Sequence, residues 1–155
     1  MSEQLATVLM DVEKIKTVIP HRSPLLLIET VHELIYDQKI IASYHIKQNE
    51  PVFDGHFPQN PIYPGVYYIE SIAQAGAILM FESRKKRGIF DPAIGFLSTV
   101  EKARFRKICG PGDRLVFEVS LEKSRGPFFW LQGKVFVEAD VVAEANVSVA
   151  LGERT

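Results

Sequence analysis

Residues 54 to 87 constrain this chain more than any other stretch. The stretch opens Asp54-Gly55-His56-Phe57-Pro58-Gln59-Asn60-Pro61-Ile62-Tyr63-Pro64-Gly65. Three prolines stand three residues apart. Each lacks a backbone N–H and pushes its predecessor toward extended geometry. The sequence therefore predicts a stiff, irregular loop carrying one histidine, His56. From Val66 to Phe81 the character reverses, with no proline and a run rich in Ile, Ala, Leu and Met. Only Glu70, Ser71 and Gln74 have clearly polar side chains there. The run is too long for an ordinary strand and too apolar for a surface helix. A buried helix is predicted from near Gly65 to near Arg87-Gly88, where cations meet a terminal glycine. A membrane span is the competing reading. The run gives roughly 24 Å of helix, short of the hydrocarbon core, and it contains a carboxylate and an amide. No integral membrane association is expected.

Glu70 and Gln74 are four residues apart and share a helix face. A buried carboxylate must be paired, hydrogen-bonded or protonated. The plain reading makes Glu70 a satisfied core carboxylate and His56 a brace for its loop. The chemical reading makes them a base and an acid whose environments separate their proton affinities. On that reading burial raises Glu70 and keeps it protonated, while a neutral His56 imidazole takes a proton. The helix N-terminus at Gly65-Val66 offers unpaired N–H groups and the positive end of a dipole, suited to a developing oxyanion. Gly65 lets a substrate carbonyl approach the backbone. These parts fit removal of a proton α to a carbonyl with loss of a leaving group from the β carbon.

The 155 residues suit a single domain, 1–155, with 1–19 as an N-terminal arm and short helix. A hydrophobic share of 46% and a charged share of 24% are ordinary for a soluble globular chain. The formal net charge of −1 gives no global field pointing to nucleic acid. One cysteine and four scattered histidines show no zinc spacing, so no metal is expected. A lone Cys109 forms no internal disulfide, and the N-terminus lacks the basic flank and apolar core of a signal peptide. A cytoplasmic location is expected.

Along the chain, Asp11 is expected to cap a short helix that runs to Ile19 and is stopped by Pro20. Pro20-His21-Arg22-Ser23-Pro24 forms a second proline-bracketed loop, whose plain reading is a turn. Leu25 to Ile35 and Lys39 to Lys47 read as strands around a turn at Asp37-Gln38, the second with Ile40, Ala42, Tyr44 and Ile46 on one face. After the helix, Asp91-Pro92 opens a section of four strands. Ile94 to Lys107 is the first, with Lys102, Arg104 and Arg106 on one face. Turns at Gly110-Pro111-Gly112-Asp113 and Arg125-Gly126-Pro127 set off the next two, and Val141 to Leu151 is the last. Two strands, one long apolar helix, then four strands is an α+β layout, with a curved antiparallel sheet wrapped around the helix.

Covalent catalysis finds little support. Ser71 and Cys109 lie in no nucleophile elbow. Ser71 reads as helix packing and Cys109 as a residue before a turn. The basic sets Arg84-Lys85-Lys86-Arg87 and Lys102/Arg104/Arg106/Lys107 read as a dipole-complementing helix end and a solvated strand face, or as docking sites for an acidic partner.

Several motifs then occur in one order: Pro20-His21-Arg22, Pro24, Gly55-His56-Phe57-Pro58, Pro61, Pro64-Gly65-Val66, Glu70, Ala73-Gln74, Lys102-Ala103-Arg104-Phe105-Arg106 and Pro111-Gly112-Asp113. From about Ile19 to Gly152 the chain resembles the FabZ-type (3R)-hydroxyacyl-(acyl-carrier-protein) dehydratases of type II fatty acid synthesis, a hotdog-fold family. The resemblance implies dehydration to the trans-2-enoyl thioester, with His56 as base and Glu70 as acid. Gly65 would bind the thioester carbonyl through its N–H, and Gln74 would support the acid. Phe57, Tyr63 and Val66 would belong to the substrate pocket. It further implies no cofactor beyond the phosphopantetheine arm of acyl carrier protein, docked near Lys102, Arg104, Arg106 and Lys107. It implies a homodimer with sites at the subunit interface, His from one subunit and Glu from the other, and often a trimer of such dimers. The related FabA type has Asp at the Glu70 position. Four departures bear on acyl specificity: Ser23 for a frequent aromatic, Tyr63 for Met or Phe, Tyr67-Tyr68 for an aliphatic pair, and Glu138-Ala139-Asp140 without a turn glycine. Bulky tyrosines near the pocket would shorten or reshape an acyl tunnel. Two alternatives stand beside the dehydratase: a hotdog thioesterase in which Glu70 activates water, and a non-catalytic acyl or carrier-protein binding module.

Overall fold

The computed structural model describes residues 2–90 and 94–153; the expected Asp91-Pro92 opening lies outside them. Two short helices come first, α1 (Ser2–Ala6) and α2 (Val12–Ile15). Strands β1 (Thr30–Ile35) and β2 (Lys39–His45) follow, then a 3-10 turn at Pro51–Asp54 and the long helix α3 (Gly65–Lys86). The chain closes with β3 (Ile94–Phe105), β4 (Arg114–Arg125), β5 (Phe128–Val137) and β6 (Asp140–Gly152). The six strands form one antiparallel sheet in the order β1-β2-β4-β5-β6-β3. Strands β2 to β6 all pack on α3, giving the expected α+β fold.

The helix sits where its sequence places it. Pro64 is the N-cap and supplies no side-chain cap, Arg84, Lys85 and Lys86 fill the last turn, and Gly88 follows at φ 79°. Twelve of its residues are buried, from Tyr68 to Ser83. Burying an Ile or Leu such as Ile72, Ile78 or Leu79 contributes about 1.5–3 kcal/mol. Helix and sheet touch closely at Gly133 of β5: a Cβ there would stand 2.5 Å from the Ile72 side chain.

Three local expectations change. Asp11 does cap α2, accepting from Lys14 N at 2.9 Å, but regular helix ends at Ile15 and turn bonds carry the chain to Ile19. The first strand begins at Thr30, not Leu25. Leu25 and Leu27 give their backbone bonds to the Gln74 carboxamide instead of a neighbouring strand. The strict alternation expected across 102–106 is broken by a bulge between Glu101 and Arg104, where Lys102 takes φ 51°.

The sheet's two edges differ. Outside β1 runs the N-terminal arm, bridged by Met10 to Val31. His32 of β1 secures it: its Nδ1–H donates to the Thr7 carbonyl at 2.6 Å and its Nε2 meets Ser43 Oγ at 2.7 Å. Burial holds His32 below the usual histidine range, so the ring stays neutral in that role. The outer side of β3 has no neighbour among the described residues, and Phe96, Leu97, Val100 and Phe105 on it are each more than 40% exposed.

Candidate functional site

The loop carrying His56 is fixed from below. Tyr63 N donates to the Cys109 carbonyl at 2.8 Å and Ile62 N to the His56 carbonyl at 3.2 Å. Gly110 lets the loop pass closely, since a Cβ there would stand 2.9 Å from the Pro61 carbonyl oxygen. Within this frame His56 Nδ1 lies 2.7 Å from the Ile62 carbonyl. A carbonyl only accepts, so Nδ1 carries the hydrogen and Nε2 of a neutral ring holds the lone pair. His56 is thereby set up as a base at Nε2. The Phe57 ring stacks on the imidazole at 4.2 Å between centroids and is itself 47% exposed.

The N-terminus of α3 follows directly. With no side-chain cap at Pro64, the N–H groups of Gly65 and Val66 have no intrahelical partner. The Phe105 ring lies over Gly65, and Val66 is 69% exposed. One turn further on, Glu70 is partly buried. Its Oε1 accepts from Gln74 Nε2 at 2.9 Å and lies 3.4 Å from His21 Nε2. Gln74 also donates to the Leu25 carbonyl at 2.8 Å and accepts from Leu27 N at 3.0 Å. The carboxamide, 1% exposed, is thus satisfied on both ends and locks Glu70 to the loop after Pro24.

The expectation that burial keeps Glu70 protonated is overturned within the subunit. The His21 contact pulls the carboxyl below its usual range; burial pushes the other way but less, and Gln74 adds to the lowering. Nor do His56 and Glu70 meet. Among the described residues no hydrogen bond or ion pair joins them within one chain.

The remaining predicted residues divide. Tyr63 is 2% exposed and packs among Tyr44, Tyr67 and Tyr68, so within the subunit it supports the loop and lines no open surface. Burial pushes its hydroxyl well above the usual tyrosine range, which leaves it neutral. Cys109 is buried with its thiol likewise pushed up, and Ser71 Oγ donates back to the Tyr67 carbonyl; neither is poised as a nucleophile. Of the basic strand, Arg106 pairs with Glu144 at 2.8 Å and Lys107 with Asp140 at 2.6 Å, whereas Lys102 and Arg104 make no ion pair among the described residues.

A groove of about 710 Å³ follows the C-terminal end of α3, bordered by Ile19, Pro20, Phe81, Ile89, Phe90 and Ile94, with Lys16 and Lys85, and touches none of His21, His56 and Glu70. A larger depression, about 1000 Å³, lies between the 22–30 and 47–52 segments and touches neither His56 nor Glu70. No cluster of His, Cys, Asp or Glu among the described residues could hold a metal ion. No helix among them is long and apolar enough to cross a membrane. The contact the sequence did not announce is His21–Glu70. Its one sequence signal is a histidine fixed between two prolines.

Comparison with known proteins adds an independent line. The model of the FabA-like domain family matches residues 19–146. The 3-hydroxyacyl-(acyl-carrier-protein) dehydratase FabZ of Wolinella succinogenes is 40% identical over 148 residues, 94% of this chain and 98% of that protein. The enzyme of the same name from Oceanobacillus iheyensis is 39% identical over 143 residues, 92% and 99% of the two chains. Among solved structures, the dehydratase heterocomplex ApeI:P from Xenorhabdus doucetiae superposes with a TM-score of 0.79 at 21% identity, covering 90% of this chain and 91% of that one, a likeness of fold.

Proposed function

The chain belongs to the FabA-like family, and from that premise we propose that it dehydrates (3R)-hydroxyacyl thioesters carried on acyl carrier protein to trans-2-enoyl thioesters, as a step of fatty acid biosynthesis. The observation that carries the reading is the His56 tautomer: a loop carbonyl holds the hydrogen on Nδ1 and leaves Nε2 as a base. His56 Nε2 removes the C2 proton. The C2–H electrons become the C2=C3 double bond, the C3–O bond breaks, and the hydroxyl leaves as water with a proton from Glu70. The Gly65 N–H, at the uncapped helix start, stabilises the enolate-like thioester oxygen. Phe57 and Val66 flank the reacting end, and Gln74 orients the acid.

One subunit is half a site. His56 and Glu70 do not meet within it, and the uncovered β3 edge exposes an apolar row of the kind that pairs with another strand. Two copies joined along β3 would give a homodimer in which the base of one subunit faces the acid of the other. Trimers of such dimers belong to the same proposal. Entry of the acyl chain strips water from Glu70 and raises it toward the protonated form that the acid step needs. The buried Tyr63 and Tyr68 shape the loop and helix start. Carrier protein would dock through Lys102 and Arg104, with Arg106 and Lys107 already engaged by acids of β6. No cofactor takes part beyond the carrier's phosphopantetheine arm, and the location is cytoplasmic.

The test is turnover of (3R)-hydroxyacyl-carrier substrates across chain lengths, with His56→Ala as control. Enoyl product that vanishes in the variant supports the reading. Free thiol in place of enoyl product, or saturable binding with no turnover, would transfer it to a thioesterase or a binding module.

A further inference from the structure

The Glu70 carboxyl is held asymmetrically. Both of its protein neighbours, Gln74 Nε2 at 2.9 Å and His21 Nε2 at 3.4 Å, approach Oε1. Oε2 accepts no hydrogen bond from the described residues. A hydrogen on Nε2 of His21 would face Oε1, which gives that nitrogen the donor role in the pair. Nδ1 is buried without a protein partner. The loop holding the ring is clamped by its neighbour. Arg22 donates to the carbonyls of Lys16 at 3.0 Å, Ile19 at 3.2 Å and His21 at 2.6 Å. That guanidinium is engaged by these carbonyls and makes no ion pair with Glu70 among the described residues. Among the described residues His21 is the one titratable group facing Glu70 within the subunit.

We propose that His21 is a positioning residue for the acid: with Gln74 it pins Oε1 by N–H donation, so that Oε2 alone carries the proton given to the leaving hydroxyl. The inference deepens the dehydratase reading and rests on Glu70 being its acid. Two consequences follow. Oε2 is presented in one orientation toward the substrate, and the charge that appears as the proton leaves is shared with an oxygen already facing two donors. At 3.4 Å the two groups are in contact without a formed hydrogen bond in the single subunit.

Two variants test this in the full-length protein. His21→Ala removes the donor. His21→Gln keeps an N–H at a comparable reach and cannot titrate. Side-chain carboxyl carbon NMR on glutamate-labelled protein, with Glu70 assigned by its loss in Glu70→Gln, reads the carboxyl without any turnover. The expected result is a Glu70 titration that moves up in His21→Ala and stays low in His21→Gln. Alongside it, kcat should fall about ten- to a hundredfold in His21→Ala, with KM little changed, the limb of the pH profile that Glu70 sets displaced in the same direction, and most of the loss recovered in His21→Gln. An unmoved Glu70 titration in folded His21→Ala would overturn the proposal, as would equal losses in both variants with an unshifted pH profile. If the titration moves but the native protein makes no enoyl product, the His21–Glu70 pair stands and the dehydratase reading falls.

Discussion

His56 and Glu70 are held by different means, and the difference sets what each substitution does. His56 is oriented by a backbone carbonyl of its own loop, so His56→Ala should leave the fold intact and lower turnover by about a hundredfold or more. Glu70→Gln keeps the side-chain shape but cannot donate an acidic proton. Dehydration should fall by a similar factor while the protein stays folded, as judged by circular dichroism; near-normal turnover would refute the role. Glu70 also links stability to pH. Its folded-state value lies below the ordinary one, so the ionised carboxyl favours the folded state. That contribution is full above the ordinary value of about 4.3 and is lost as pH falls through the folded value. Urea midpoints of the native protein and Glu70→Gln should therefore differ more at pH 7 than at pH 3.

At the scale of elements, α3 does two jobs. Its buried face fills the sheet, and its polar residues organise the segment before β1. Gln74→Ala would strand the Leu25 carbonyl and the Leu27 N–H and free Glu70. A loss of about 1–3 kcal/mol is expected in denaturant titration, together with reduced turnover. Gly133→Ala forces a methyl against Ile72 at the centre of the helix–sheet contact. It should cost about 1–3 kcal/mol without altering the chemistry of any protein that remains folded. Both helix ends were legible in the sequence because proline and glycine punctuate them locally. The start of β1 was not: Leu25 to Glu29 is as apolar as a strand, but its partner is a carboxamide 47 to 49 residues away. The bulge at Lys102 was likewise hidden, since alternation in a sequence shows no register with β6.

At the scale of the whole molecule, the two sheet edges have unequal fates. The arm lies outside β1 and is tied there through His32, whereas β3 exposes its apolar row. Val100→Lys should be tolerated by the subunit, where this side chain is 43% exposed, but should turn the proposed dimer into monomer by size exclusion and abolish turnover. Shared sites make a sharper test. Co-expressed His56→Ala and Glu70→Gln subunits, each inactive alone, should regain about a quarter of native activity, because half of randomly mixed dimers carry one complete site of two. No recovery in verified heterodimers would place both residues of a site in one subunit.

The sequence by itself determined the α+β layout, the limits of the long helix, the rigid loop bearing His56 and the helical spacing of Glu70 and Gln74. Each of these depends on near neighbours: proline geometry, apolar run length, the reach of one helical turn. Only the tertiary structure decided that Glu70 is held low by His21, that Tyr63 is interior support, that two of the four strand cations are already paired, and that β3 is the uncovered edge. Those facts come from residues brought together across tens of positions, where local propensity carries no information about the partner.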